Sequence, residues 1–383
     1  MYIPQYHLQN IEKFLIPGKV LLLYGARRVG KTTLVQKFIE AYWPKPTNEK
    51  DKVLFVNGDD IFVRQYLESQ SIQQLREFVG KHSLLVIDEA QYITQIGLNL
   101  KLIVDHIPDI QVIATGSSSF DLARDIGEPL TGRKYVLKLF PIAQFELSQI
   151  EKPHETRANL EARLIFGAYP EIITLMDNQM REEYLREMIN AYLFKDILEL
   201  EGIRRADKLL RLLQLMAFQI GKEISLNELG TQLGMSKNTV ERYLDLLEKV
   251  FIIFRRPGFS RNLRKEISQN HRFYFYDNGI RNALIRNLNP LALRNDIGEL
   301  WENYIIVERL KKQEYLRETS NSYFWRTYDK QEIDLVEERQ GKLAGYEIKF
   351  HPVKIKPPNQ WSSQYPAASF EVIQQENYLD FIS

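Results

Sequence analysis

The octapeptide Gly25-Ala26-Arg27-Arg28-Val29-Gly30-Lys31-Thr32 satisfies the pattern G-x-x-x-x-G-K-[ST] at every fixed position. It follows Val20-Leu21-Leu22-Leu23-Tyr24, an apolar run with the length and composition of a buried strand. After it, Thr33 to Tyr42 carries Leu34, Val35, Phe38 and Ile39 at helical spacing. Strand, glycine-rich turn and helix therefore occur in the order that a phosphate-binding loop requires. Glycines let the backbone close around phosphate oxygens, and the N–H groups at the helix start point at the negative charge. Gly25, Ala26, Arg27, Arg28, Val29, Gly30, Lys31, Thr32 and Thr33 are thus expected to cradle ATP. Lys31 would reach the β- and γ-phosphates, and the Thr32 hydroxyl would hold Mg²⁺.

A second strand supports this. Leu84-Leu85-Val86-Ile87-Asp88-Glu89 is apolar and ends in two carboxylates. Ligands of open parallel sheets bind beyond the carboxyl ends of the strands, so both acids belong beside the phosphates. Asp88 is expected to hold Mg²⁺, and Glu89 to orient and polarise the attacking water. Further strand-like runs at Lys52 to Val56, Ile110 to Thr115 and Lys134 to Leu139 complete a five-stranded sheet. The fourth ends in Thr115-Gly116-Ser117, where Ser117 or Thr115 suits either a γ-phosphate sensor or a helix N-cap. Arg133, just before the last strand, fits an arginine finger acting on a neighbouring subunit, or equally a surface arginine packed on its own domain.

These segments, with Leu-Val-Ile-Asp-Glu-Ala-Gln, Thr-Gly-Ser-Ser-Ser and Leu-Thr-Gly-Arg, resemble AAA+-type ATPases of archaea and bacteria that carry a C-terminal domain of unknown function. The turn Gly167-Ala168-Tyr169-Pro170-Glu171 is similar to that group's Gly-Gly-Phe-Pro-Glu, with two mild substitutions. The resemblance spans the chain. It implies an α/β architecture: a P-loop AAA+ core with a parallel sheet at 1–150, a helical lid at 151–200, a winged helix-turn-helix at 201–290 and a restriction-endonuclease-like domain at 291–383. Arg181 is the candidate arginine of the lid.

Within the third segment, Ser225 is placed to cap a helix through Leu229, Leu233-Gly234-Met235-Ser236 gives a tight turn, and Lys237 to Val250 forms a second helix. Phe251 to Phe254 and Phe273 to Tyr276 read as the strands of a wing. In such a motif the second helix enters a DNA major groove, with Lys237, Asn238 and Arg242 outermost. From Glu201 to Arg272 there are fourteen Lys/Arg against eight Asp/Glu, although the whole chain balances at +1. Arg255, Arg256, Arg261, Arg264, Lys265 and Arg272 are expected to neutralise phosphates around the wing. Nucleic acid, DNA ahead of RNA, is the partner this implies. Winged helices also dock proteins, and that use fits the same residues.

The last segment opens with a helix from Gly298 to about Lys312. Strands follow at Tyr323 to Arg326, Glu332 to Val336 and Ala344 to Phe350. Side chains alternate along a strand, so Glu347 and Lys349 share a side, facing Asp334 if the hairpin register allows. Glu302 adds a carboxylate from the helix. Asp followed by Glu-x-Lys resembles the restriction-endonuclease-like nucleases. That resemblance implies Glu302, Asp334 and Glu347 as metal ligands and Asp334, Glu347 and Lys349 as catalytic residues of phosphodiester cleavage. A charged solvent-facing strand is the plain alternative, and Phe350-His351-Pro352 departs from the small hydroxyl residues usual after the lysine.

Composition removes other classes. At 44% hydrophobic and 26% charged residues, the balance is that of a globular protein. With no cysteine, disulfides, thiolate metal sites and cysteine nucleophiles are excluded. No apolar run approaches the roughly 18 residues of a membrane span. Met1-Tyr2-Ile3-Pro4-Gln5 lacks the features of a signal peptide, so a cytoplasmic location is expected. ATP or ADP with Mg²⁺, nucleic acid and further copies of the chain are the expected ligands and partners.

Overall fold

A computed structural model describes residues 2–43, 52–117, 129–193, 205–260 and 271–383. The chain divides into two compact units, residues 2–140 and 141–383.

The first unit contains the expected five strands: β1 (Val20–Gly25), β2 (Val53–Asn57), β3 (Leu84–Asp88), β4 (Gln111–Gly116) and β5 (Lys134–Leu139). They form one parallel sheet in the order β2-β3-β4-β1-β5. β1 and β3 are buried along their whole length, as continuous apolar runs covered on both faces must be. The helix Lys31–Tyr42 returns across the sheet with Leu34, Val35 and Phe38 buried. Because β4 lies between β1 and β3, the tip of β4 stands between the phosphate-binding loop and the paired acids.

The second unit begins with short helices through Glu187, among them Leu160–Phe166, Pro170–Thr174 and Asn178–Glu187. Helices Leu226–Leu233 and Lys237–Lys249 follow, capped by Ser225 and Ser236. A three-stranded antiparallel sheet comes with them, in the order β6-β8-β7, made of β6 (Glu223–Ile224), β7 (Ile253–Arg256) and β8 (His271–Phe275). The 20-residue helix Ile297–Leu316 then leads into a four-stranded sheet. Its strands are β9 (Asn321–Arg326), β10 (Glu332–Arg339), β11 (Lys342–Ile348) and β12 (Ser369–Ile373), in the order β12-β11-β10-β9. Trp301, Tyr304 and Ile305 of the long helix share one core with Phe254 and Tyr274 of the smaller sheet and with Leu335, Ile348 and Ile373 of the larger. Residues on either side of position 290 are therefore packed together. The residues assigned to a lid also pack inside this unit: the Ala168 N–H donates to Asp277 at 2.7 Å, and Asn282 donates to the carbonyls of Leu164 and Ile165.

Candidate functional site

The phosphate-binding loop leaves β1 at Gly25, where the chain passes close to β5. A Cβ added at Gly25 would lie 2.1 Å from the Leu139 carbonyl oxygen, so no other residue fits between the strands there. Arg28 within the loop holds a left-handed φ of 60°. The helix starts at Lys31, whose buried ammonium donates to the carbonyls of Gly25 and Ala26, each at 3.0 Å. Beside it the Thr32 hydroxyl donates to Asp88 Oδ2 at 2.8 Å. The loop is further fixed by Gln5, whose amide donates to the Val29 carbonyl at 2.9 Å, and by Arg27, which donates to the Tyr92 hydroxyl at 2.5 Å. Nothing in the local sequence marks Gln5 or Tyr92 for these contacts, which depend on distant segments meeting.

Thr115 organises the acids. It is fully buried at the tip of β4, its hydroxyl donates to Asp88 Oδ1, and it accepts the Glu89 N–H at 3.2 Å. Of the two hydroxyl residues at this tip, Thr115 is the one bonded to Asp88. Ser117 is tied instead through its N–H to Gln91 Oε1 at 3.3 Å, and the Gln91 amide donates to Glu89. Glu89 itself holds a left-handed φ of 52°, the kind of backbone strain that surrounding structure must maintain. Arg133 pairs with Asp105 of its own unit, Nε to Oδ1 at 2.6 Å. This is the packing role that the sequence left open beside the arginine finger.

A strand ending in a glycine-rich loop, a lysine and threonine opening the next helix, and two acids at the neighbouring strand end lie together on one parallel sheet. Residues 17–148 match the family model described as an AAA domain. The fold of this unit is that of an AAA-type P-loop domain. Residues 157–291 and 297–372 match two models described as domains of unknown function, DUF8612 and DUF4143. An uncharacterized protein of Mycobacterium tuberculosis is 26% identical over 344 residues, covering 89% of this chain and 72% of that protein. Among solved structures, AMPPCP-bound DnaA from Aquifex aeolicus is 13% identical over 63% of this chain and 86% of its own, with a TM-score of 0.30. The Pif1 helicase from Candida albicans is 15% identical with a TM-score of 0.28. This chain spans 48% of that helicase. Neither score is high enough to carry a statement about function. Beyond the AAA-type unit, no helix among the described residues is long and apolar enough to cross a membrane.

Asp334, Glu347 and Lys349 meet at one end of the four-stranded sheet. Leu335 pairs with Tyr346, which sets Asp334 and Glu347 side by side at the open end of the β10–β11 hairpin. The β9 side has a register shift between Ile333 and Val336, and five consecutive residues, Ile333 to Glu337, are buried. Asp334 Oδ2 accepts the Ile348 N–H at 2.9 Å. Lys349 lies 2.7 Å from Glu347 and 3.6 Å from Asp334. Glu302, reached from the long helix, accepts the Tyr274 hydroxyl at 2.8 Å. Burial and the neighbouring Asp334 push the Glu302 carboxyl up to about 8, against the pull of Arg272, Tyr274 and Lys349. Burial and Asp334 likewise raise Glu347.

Arg272 is the unexpected member. As part of the wing it was assigned to phosphates, yet it is buried with Nη1 at 3.8 Å from Glu302 and 3.6 Å from Asp334. Its Nη2 lies 2.8 Å from Glu332. Burial alone would lower this guanidinium, but Tyr274, Glu302, Asp334 and Glu332 hold it above the ordinary arginine value. The pattern Arg272-x-Tyr274 on one strand face was its only trace in the sequence.

Other wing arginines are corrected in the same way. Arg255 pairs with Glu248 at 2.5 Å and with Asp245, and Arg256 is buried opposite Arg272 in the β7–β8 pair. β8 packs against the long helix and β7 against the helix Lys237–Lys249 and β9, so Arg272 and Arg256 face the core rather than solvent. Arg261, Arg264 and Lys265 fall outside the described residues. Lys237, Asn238 and Arg242 are exposed on the second helix as expected. Arg181 donates from Nε to the carbonyls of Ile172 and Leu175, so it closes the helix Pro170–Thr174.

Proposed function

We propose that the chain is a Mg²⁺-dependent ATP hydrolase in which the nucleotide cycle of the AAA-type unit controls the binding state of the 141–383 unit. The observation that carries this reading is the chain of bonds from Thr32 to Asp88 to Thr115, beside the buried Lys31 ammonium. The donor set suits the ion: a hydroxyl and a carboxylate oxygen, both hard ligands, already meet at the mouth of the loop. When bound, Mg²⁺ would supply positive charge that offsets that of the phosphates. Thr32 and Asp88 would hold it. The backbone N–H groups from Gly25 to Thr33 would bind the phosphates, with Lys31 moving from the loop carbonyls to the β- and γ-oxygens. Glu89, held by Gln91 and by the Thr115 contact to its N–H, would orient the attacking water, and Ser117 would report on the γ-phosphate.

The test is ATP binding and turnover in wild type, Lys31→Ala and Glu89→Gln. Lys31→Ala should lose both, while Glu89→Gln should keep binding and lose turnover. Turnover that persists in Lys31→Ala sinks the proposal.

A second reading, action on nucleic acid, rests on the exposed Lys237, Asn238 and Arg242 of the helix-turn-helix. Steeply salt-dependent DNA affinity that falls in Lys237→Ala would support it. Binding that is absent at low salt would leave the protein-docking use. Phosphodiester cleavage by the C-terminal site belongs to this second reading, and equal nuclease assays for wild type and Asp334→Ala would remove it.

A further inference from the structure

A divalent metal centre at the end of β10 and β11 needs carboxylates whose lone pairs converge on one empty position. The donor chemistry is present in Glu302, Asp334 and Glu347, but the arrangement does not fit. Among the described residues no three acidic or histidine side chains stand where they would share an ion. Cations of the chain itself lie between them. Lys349 stands between Glu347 and Asp334, and Arg272 between Asp334 and Glu302, with Glu332 closing the far side of the guanidinium.

We infer that Arg272 is the resident cation of this cluster, taking the position a metal would need and joining the three-stranded sheet to the four-stranded one. Four observations carry this. Arg272 comes from β8, whereas its partners come from the long helix and β10, so the ion pairs cross between packed elements. Its guanidinium carbon lies 4.7 Å from the centre of the Phe324 ring of β9, which covers its other face. Tyr274, two residues on along the same strand, holds the carboxylate of Glu302 at 2.8 Å. Gly221 leaves room for Glu302 to turn this way, since a Cβ there would come within 2.9 Å of its Oε1. A buried guanidinium is stabilised by the carboxylates around it, and removing it leaves Glu302 with Tyr274 and Asp334 with Lys349 alone, both more open to another cation. The cluster is thus a charged joint between the winged-helix sheet and the C-terminal sheet, and it admits a divalent ion only when Arg272 is withdrawn.

The test measures Mn²⁺ binding to the full-length, nucleotide-free protein by titration calorimetry and electron paramagnetic resonance. Wild type, Arg272→Met, Asp334→Ala and the double variant are compared, with melting temperature followed alongside. Wild type should show no binding that Asp334→Ala removes. Arg272→Met should melt lower and gain Asp334-dependent Mn²⁺ binding about tenfold or more tighter than the detection limit set by wild type, with the gain abolished in the double variant. If Arg272→Met does not fold, Arg272→Gln replaces it, because its amide keeps polar contacts without the charge. Asp334-dependent Mn²⁺ binding by wild type would overturn the inference and restore the metal-dependent cleavage reading. So would a folded Arg272 variant that binds no more Mn²⁺ than wild type. Neither result bears on ATP turnover, which depends on the other unit.

Discussion

The Thr32 hydroxyl donates to Asp88 Oδ2 across 2.8 Å, tying the first turn of the helix after the phosphate loop to the end of β3. Two segments 56 positions apart meet there because β4 alone separates their strands, and its Thr115 bonds the other oxygen of the same carboxylate. Asp88 is therefore held from both sides before any nucleotide arrives. Replacing Thr115 by valine keeps the shape but removes the bonds to Asp88 and Glu89. Turnover should fall by roughly 10²-fold while ATP affinity changes much less, since the loop itself is untouched. Steady-state kinetics with a separate nucleotide-binding assay checks this. An unchanged kcat would mean Thr115 serves packing alone.

The Arg133–Asp105 pair is half exposed, and such pairs contribute about 1 kcal/mol or less. If packing is its whole role, Arg133→Ala should keep turnover within about twofold and lower the melting temperature slightly. An arginine finger would instead cost about 10³-fold or more, with activity recovered on mixing with Lys31→Ala subunits. The mixing experiment separates the two.

Gly167 turns the chain at φ +77°, and a Cβ there would stand 2.0 Å from the Asp277 carboxylate. Asp277 caps the following helix and also accepts the Ala168 N–H, so it cannot move aside without losing both. Gly167→Ala should destabilise the 141–383 unit by about 3 kcal/mol or more, read from urea denaturation. A loss below about 1 kcal/mol would mean the turn is looser than this packing implies.

Burial raises the Asp277 carboxyl from 3.8 to about 6, against the opposing pull of the Ala168 N–H and Lys311. A carboxyl whose folded value is raised favours its proton in the fold. Its stabilising share is complete below pH 3.8 and is lost as the pH rises through about 6. The loss is on the order of 3 kcal/mol across that window. Asp277→Asn should be less stable overall, because one of the two oxygens that accept the Ala168 and Ile280 N–H groups becomes an NH2 donor, but flatter between those pH values. Unfolding free energies of both proteins at several pH values test the sign.

Arg255 of β7 is committed to Glu248 and Asp245, whereas Lys237 and Arg242 of the helix Lys237–Lys249 are exposed. If DNA binds, Lys237→Ala and Arg242→Ala should each reduce the salt dependence of affinity by about one counterion. Arg255→Ala should leave that slope alone and lower stability by about 1 to 2 kcal/mol instead. Anisotropy titrations at several salt concentrations, with a denaturation curve for Arg255→Ala, distinguish the two effects.

The five strands of the AAA-type unit were legible because each is a local apolar run with a polar or glycine-rich end, and the phosphate loop is contiguous in sequence. Lys31, Thr32, Asp88 and Glu89 could be placed for the same reason: a strand's end fixes where its terminal residues stand. The helices Leu226–Leu233 and Lys237–Lys249 were equally local, set by Ser225, Gly234 and Ser236. Legible in advance were therefore the parts whose meaning lies within a short stretch of neighbouring residues. Charge partners are not of that kind. Arg272 and Arg255 look alike in a basic stretch, and only packing shows that one is surrounded by Glu302, Asp334 and Glu332 and the other held by Glu248. The bonding of Thr115 to Asp88, the fastening of the phosphate loop by Gln5 and the place of Arg272 among the C-terminal carboxylates were likewise decided by tertiary structure. Each depends on atoms a few ångströms apart in space, contributed by segments that sequence keeps distant.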